Sequence, residues 1–383
     1  MWYGFCFSNH VKRRLKYIFI LVVLASCKQV QKVSDAIAKP SARTVFERDL
    51  KDHDSLFKRY NLNLTLSKSN GLKIDLPVSL VAETDSVDFK TLSYVLALKR
   101  GERLKVASEV SADSLQLLID LFAIENDSTI AENPLVSNEP GVNTLDFSVS
   151  ENSNYKLVIT PALSAALKFH IAIYREPTFL FPVSGKGNSA IQSFWGATRA
   201  GGKRSHKGID IFASRGTPVI AVTDGFITNT GNRGLGGKQV WLRDGVFGQS
   251  LYYAHLDSIN VTGGNRVTIG DTLGFVGNTG NARTTSPHLH FGIYTKSGAI
   301  DPLPFVKEAE RPKPNNGSVF KKGKTRLAIN ELRVGDGVTN EKIKDLGPNV
   351  PLKILSKVGD WFHLQINDSL EGFMHESLIL ERN

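Results

Sequence analysis

Short apolar runs with a period of two, cut apart by turn residues, constrain this chain of 383 residues more than any other feature. Leu92, Tyr94, Leu96 and Leu98 recur at every second position. That is the period of a strand with one buried face, not of a helix. Leu145-Asp146-Phe147-Ser148-Val149 alternates in the same way, and Leu104-Lys105-Val106 follows a turn at Gly101. Leu115 to Phe122, Tyr155 to Ile159 and Phe169 to Tyr174 continue the series. The 33 glycines supply tight turns between the runs. Runs this short and this frequent predict a mainly β protein built of antiparallel sheets. The length predicts two to four domains.

The N-terminus has the layout of a signal peptide, residues 1–26. Lys12, Arg13, Arg14 and Lys16 form a cationic region before Tyr17 to Leu24, an apolar stretch too short to span a bilayer. Leu24-Ala25-Ser26-Cys27 resembles a bacterial lipobox. That resemblance implies cleavage before Cys27, a lipid on its sulfur and thus a membrane anchor. Lys28 at the next position argues for an outer-membrane lipoprotein facing the periplasm. Cys6 and Cys27 are the only cysteines, and Cys6 leaves with the signal, so no internal disulfide is expected. Cleavage removes four cationic residues and lowers the formal charge from +10 to +6. The basic residues are spread along the chain, with no basic run interleaved with aromatics on one helix. The surplus raises nucleic acid as a partner, but none is expected from this spread, and a polyanionic wall or an anionic membrane surface suits the charge equally well.

Residues 27–70 read as a tether, with one helix over Ser41 to Tyr60 whose apolar side is Val45, Leu50, Leu56 and Phe57. Helix is expected only there and in the signal. Residues 71–176 hold the alternating runs and predict a β-sandwich. Their strand order resembles the accessory modules that precede the catalytic domain in secreted bacterial peptidases, a likeness that carries no site residues. Pro177 and Pro182 mark the next boundary, and residues 178–306 hold all the candidate chemistry. A linker spans 307–322, with Pro312, Pro314, Asn315, Asn316 and Gly317. Alternation resumes in 323–383, at Val350 to Leu355, Trp361 to Ile366 and Gly372 to Ile379. Gly359-Asp360-Trp361-Phe362 and Glu371-Gly372-Phe373-Met374 resemble a bacterial Src-homology-3-type barrel, with Gly372-Phe373 in place of its usual glycine–tryptophan pair.

Pro287-His288-Leu289-His290 places two histidines on one face of a strand, about 6.5 Å apart. One can hold a metal while its neighbour touches the metal's substrate. His206 and Asp210, four residues apart, would lie about 13 Å apart on an extended strand, too far to share one ion at ~2 Å. The chain must therefore bend between them, and Gly208 permits an unusual φ. Two imidazoles and one carboxylate fill three positions on zinc and leave the fourth open, as in catalytic rather than structural sites. Soft ligands are absent from this set, which argues against copper and iron–sulfur clusters. In Leu251-Tyr252-Tyr253-Ala254-His255-Leu256, alternation puts Tyr253 and His255 on one face, with Tyr252, Ala254 and Leu256 on the other. Arg199, Lys203, Arg204 and Lys207 crowd around the first candidate ligand and read either as a steering rim or as a solvated loop. Gly231 to Lys238 fails as a phosphate loop, because Gln239 stands where Ser or Thr is needed.

Phe194-Trp195-Gly196, Arg199, His206-Lys207-Gly208-Ile209-Asp210, Gly216-Thr217-Pro218-Val219, Asp224-Gly225, Tyr253-Ala254-His255-Leu256, Thr279-Gly280 and Pro287-His288-Leu289-His290-Phe291 occur in that order. In that order they resemble the lysostaphin-type, LytM-like peptidoglycan metallopeptidases over about 130 residues. The resemblance implies a zinc (Zn2+) endopeptidase acting on the peptide cross-links of peptidoglycan. It assigns His206, Asp210 and His290 to the metal and makes His255 and His288 the catalytic pair. It also places His290 and His255 on adjacent strands below a cleft, with Gly231 to Lys238 as a rim hairpin. Two other readings remain: an activator of other wall enzymes on the same fold without hydrolysis, and an adhesin with purely structural histidines.

Overall fold

The computed structural model describes residues 35, 38–125, 129–163, 166–315, 317–367 and 370–382. Cys27 and the signal segment lie outside them. The architecture is mainly β, in antiparallel sheets, as the alternation predicts. Several expected strands appear nearly residue for residue, among them Leu92–Leu98, Glu102–Ser108, Thr144–Ser148 and Trp361–Ile366.

The N-terminal strands form two facing layers. One layer runs Leu92–Leu98, Ser153–Pro161, Leu117–Glu125, and the other holds Val78–Glu83, Lys168–Pro177, Glu102–Ser108 and Thr144–Ser148. Their inward residues, including Leu80, Tyr94, Leu96, Leu104, Ile119, Leu157 and Ile171, share one core. This is the predicted sandwich. Residues 42–69 are less of a tether than expected. They form two helices, Ala42–Leu50 and Asp54–Ser69, broken at Lys51 to His53. Ser41 caps the first by accepting from the Thr44 N–H. Tyr60 packs edge-on against Phe46 and Phe89, and a buried Arg43–Asp120 ion pair at 2.6 Å ties the first helix to the sandwich. A one-turn helix at Leu303–Val306 lies outside the region where helix was expected.

The C-terminal strands depart from the expected free barrel. Pro351–Val358 pairs with Val78–Glu83, in the register Leu80↔Val358 and Ala82↔Ser356, and so extends the sandwich sheet. Leu355, Val358 and Phe373 enter the sandwich core, while Leu332, Ile354, Leu364 and Met374 make a second, smaller core. Among the described residues no sheet closes into a barrel. The physical reason is the open edge of Val78–Glu83: its unpaired backbone groups are a template for another strand, and the C-terminal segment supplies one.

The central sheet has its own core of Ile209, Ile211, Val240, Leu251, Tyr253, Leu289, Phe291 and Ile293. Its strand order is Ile191–Ser193, Ile209–Phe212, His288–Thr295, Ser250–Ile259, Gly237–Asp244, Gly225–Arg233, Arg266–Val267. Alternation along these strands sends the apolar residues to one face and the candidate site residues to the other.

Candidate metal centre and its cleft

A row of residues crosses the sheet perpendicular to the strands. Ser193 pairs with Asp210, Asp210 with His290, and His290 with Ala254. Directly opposed residues share a face, so the pairing alone brings Asp210 and His290 together. His206 comes from outside the sheet. Its backbone is pinned to the short Thr198–Arg199/Arg204–Ser205 hairpin region, its N–H donating to Ala197 O at 2.8 Å. The chain bends at Gly208 as expected, but without a left-handed φ. Glycine is needed there for space: a Cβ would stand 2.5 Å from Phe291 O and 2.7 Å from His290 Cε1.

The three side chains converge. His206 Nε2 lies 3.0 Å from Asp210 Oδ1 and 3.0 Å from His290 Nδ1, and His290 Nδ1 lies 2.9 Å from Asp210 Oδ1. All three residues are largely buried. Ligands at ~2 Å in tetrahedral array stand about 3.3 Å apart, so this triangle is the right size for one small cation. His206 Nδ1 sits 2.9 Å from Phe194 O, which can only accept, so Nδ1 carries a hydrogen and Nε2 is the nitrogen the ring turns to Asp210 and His290. Burial by itself would raise the Asp210 carboxyl, but the hydrogen bonds and charges of His206 and His290 outweigh it and hold the group far below the usual carboxylate range. Arg199 Nη2 donates to Asp210 Oδ2 at 2.7 Å and also bonds Ser193 Oγ, which turns Oδ1 toward the two imidazoles. Such outer partners fix the orientation of metal ligands.

His255 breaks the alternation. It has φ +63°, rare for a residue with a Cβ. Tyr253 pairs with Val240 and Leu256 with Lys238, so three steps on this strand answer two on its neighbour, a β-bulge. Tyr253 and Leu256 consequently lie in the core, while Tyr252, Ala254 and His255 all line the cleft. The expected sharing of one face by Tyr253 and His255 is overturned by this one extra residue. His255 Nδ1 donates to Thr279 O at 2.9 Å and His288 Nδ1 to Ser286 O at 2.8 Å, so each ring is fixed to the backbone through Nδ1. The two rings lie 5.1 Å apart, and His288 stacks on Phe212, its partner across the strands. Burial, then the neighbouring His288 and His290, push His255 down to about 4, so it is neutral at pH 7.

The cleft encloses about 920 Å³ above this row. The expected rim hairpin is present as Gly225–Arg233 paired with Gly237–Asp244, and its tip residues Leu235 and Gly236 line the cleft. Periodicity missed the aromatic wall. Tyr252 stands edge-on to His290 with ring centres 5.8 Å apart, and Trp241 packs on Tyr252 and Tyr294. The signal was available in the aromatic clustering of adjacent strands, but only the register shows that they meet.

A β-sheet that brings two imidazoles and a carboxylate together at an open cleft, with two further histidines beside them, defines a hydrolytic metal site of the metallopeptidase class. Residues 204–302 match Peptidase family M23. Among curated proteins, the glycyl-glycine endopeptidase ALE-1 of Staphylococcus capitis is 44% identical over 113 residues, covering 27% of this chain and 30% of that protein. The L-Ala–D-Glu endopeptidase of Bacillus subtilis (strain 168) is 34% identical over 143 residues, 34% of this chain and 44% of that one. The catalytic domain of lysostaphin from Staphylococcus simulans, a solved structure, is 36% identical with a TM-score of 0.28, covering 30% of this chain and 89% of that one. The chain thus spans less than half the length of these curated relatives. All five histidine and aspartate positions of the site lie inside the matched segment.

Proposed function

We propose that this chain is a zinc metalloendopeptidase that hydrolyses the peptide cross-links of peptidoglycan, anchored to the cell envelope by a lipid on Cys27. The observation that carries the reading is the 3 Å triangle of His206 Nε2, Asp210 Oδ1 and His290 Nδ1 beside two imidazoles each fixed to the backbone through Nδ1. The names of the relatives support peptide bonds of the wall as substrate. Two nitrogens and one carboxylate oxygen suit zinc. Held by His206, Asp210 and His290, zinc would polarise the scissile carbonyl and lower the pKa of water to about 7.

This chain's own residues do the rest. His255 Nε2 accepts a proton from the attacking water, since its ring is neutral at pH 7 and its Nδ1–H is fixed on Thr279 O. His288, held through Nδ1 by Ser286 O and stacked on Phe212, lies on the same cleft wall, and with a proton on Nε2 it can donate to the oxygen that gains charge. Arg199 keeps the Asp210 carboxylate oriented. Leu24-Ala25-Ser26-Cys27 supports the lipid anchor, and Lys28 the outer membrane. The test is digestion of purified cross-linked muropeptides by zinc-loaded full-length protein, with products identified by mass spectrometry. Peptide cleavage that stops on chelation and returns with zinc is the expected result. Intact muropeptides at every zinc level would exclude hydrolysis, and a Cys27→Ser protein that still takes up labelled fatty acid would exclude the anchor.

A further inference from the structure

The cleft wall formed by the Thr198–Arg199/Arg204–Ser205 hairpin carries charge that the metal site does not use. Its turn passes through Gly201 and Gly202, both with positive φ, and ends at Lys203. Arg199, Lys203, Arg204 and Lys207 all line the cleft, and Asp210 is the one acidic residue among its lining. Arg199 is taken up by Asp210. Lys203, Arg204 and Lys207 are exposed and form no ion pair with any described acid. Arg204 moreover stands directly across from Arg199 in the two-stranded register, a like-charge pairing that destabilises a hairpin. A divalent cation at the three ligands would add to this positive surplus, not offset it. Arg204 is two residues before His206 and Lys207 one after, so these cations lie within about 7 Å, Cα to Cα, of a metal ligand.

We propose that Lys203, Arg204 and Lys207 form a carboxylate-recognition subsite, so that the preferred substrate is a cross-link peptide with a free carboxylate within two residues of the scissile bond. This rests on the peptidase reading above. Amidated or glycine-only strands, which lack that charge, are then poorer substrates. A charge-assisted contact in a partly exposed cleft accounts for about a tenfold preference, which shrinks as salt screens it.

The test uses two synthetic cross-linked stem peptides, identical except that the carboxylate beside the scissile bond is free in one and amidated in the other. Affinity is measured by fluorescence anisotropy on the full chain carrying His255→Ala, with and without Lys203→Gln/Arg204→Gln/Lys207→Gln. Hydrolysis is measured in parallel on the chain with His255 intact. The expected result is about tenfold tighter binding of the free acid, lost in the triple variant and at high salt, with affinity for the amide unchanged. Equal affinities, no binding of either peptide, or a preference that survives the triple substitution would overturn the subsite. A preference with no cleavage of either peptide would leave the subsite standing and sink the hydrolase reading alone. Because the three side chains are exposed and unpaired, the triple variant is expected to fold.

Discussion

Asp210 and His290 face each other across adjacent antiparallel strands, with Oδ1 2.9 Å from Nδ1, and this cross-strand pair is the fixed half of the metal centre. His206 completes it from the loop, so the centre depends on both the sheet register and the bend at Gly208.

Substitution of His290 by alanine removes one of the three ligand atoms. The expected outcome is loss of bound metal and of muropeptide cleavage to background, read by metal analysis and product chromatography. His255→Ala, by contrast, should keep the metal and lose at least about 100-fold in kcat, the scale of a general base. Equal metal loss in both would mean that His255 is a ligand and not a base.

Arg199 touches Asp210 and Ser193 with one guanidinium nitrogen. Arg199→Ala is expected to weaken metal binding by about 10–100-fold, the usual cost of removing an outer partner of a ligand. A competition titration with a chromophoric chelator measures it. An affinity matching the unsubstituted protein would show that Asp210 needs no outside support.

Gly208 is required by crowding. Gly208→Ala sets a methyl against Phe291 O and the His290 ring, and a loss of about 1–3 kcal/mol is expected together with lowered metal occupancy. Gly231 has open space within 4 Å and no positive φ, so Gly231→Ala should leave the thermal midpoint nearly unchanged. Comparable loss in both would mean that crowding against Phe291 O and the His290 ring is not what Gly208 relieves.

Lys156 is fully buried in the sandwich, donating to Asn70 O and, at 2.8 Å, to Asn70 Oδ1. Burial pushes its ammonium down to about 7, against the partial support of Glu371. An unfolded lysine titrates near ~10.4, so between these values the unfolded chain binds more protons than the folded one. Stability therefore rises with pH from about 7 toward 10, by at most ~1.4 kcal/mol per unit. Urea unfolding at pH 7, 8 and 9 is expected to show this slope, and Lys156→Met to lose it.

The C-terminal strands complete the sandwich edge. Deletion of 323–383 would uncover Val78–Glu83 and strip Leu355, Val358 and Phe373 from the shared core, so a lowered unfolding midpoint and self-association are expected. An unchanged midpoint for the remainder would mean that the segment is an independent spacer. Calorimetry and light scattering decide between them.

Much of the site was legible because its residue types are few and their spacing is short-range. Two histidines one residue apart share a strand face whatever the sheet around them, and Asp210 and His290 need only neighbouring strands to meet. The helices at 42–69 were half legible: Leu50, Leu56 and Phe57 pack as expected, but Tyr60 is buried only because Phe89 and Leu118, far along the chain, lie against it. The bulge at His255 could not be read from period two, since the extra residue exists only relative to the partner strand Gly237–Asp244. The seat of Arg204 opposite Arg199 is likewise a property of the hairpin, not of the basic cluster as written.

Residue chemistry and local periodicity, properties of consecutive side chains, were enough to establish the β class and to single out His206, Asp210, His288 and His290, while the choice of His290 over His288 as a ligand came from the family resemblance. Pairing decided what those residues do together: which strand completes the sandwich, which way His255 turns and which cations face the cleft. Such choices depend on hydrogen bonds between segments tens to hundreds of residues apart, and alternation within one segment carries no information about its partner.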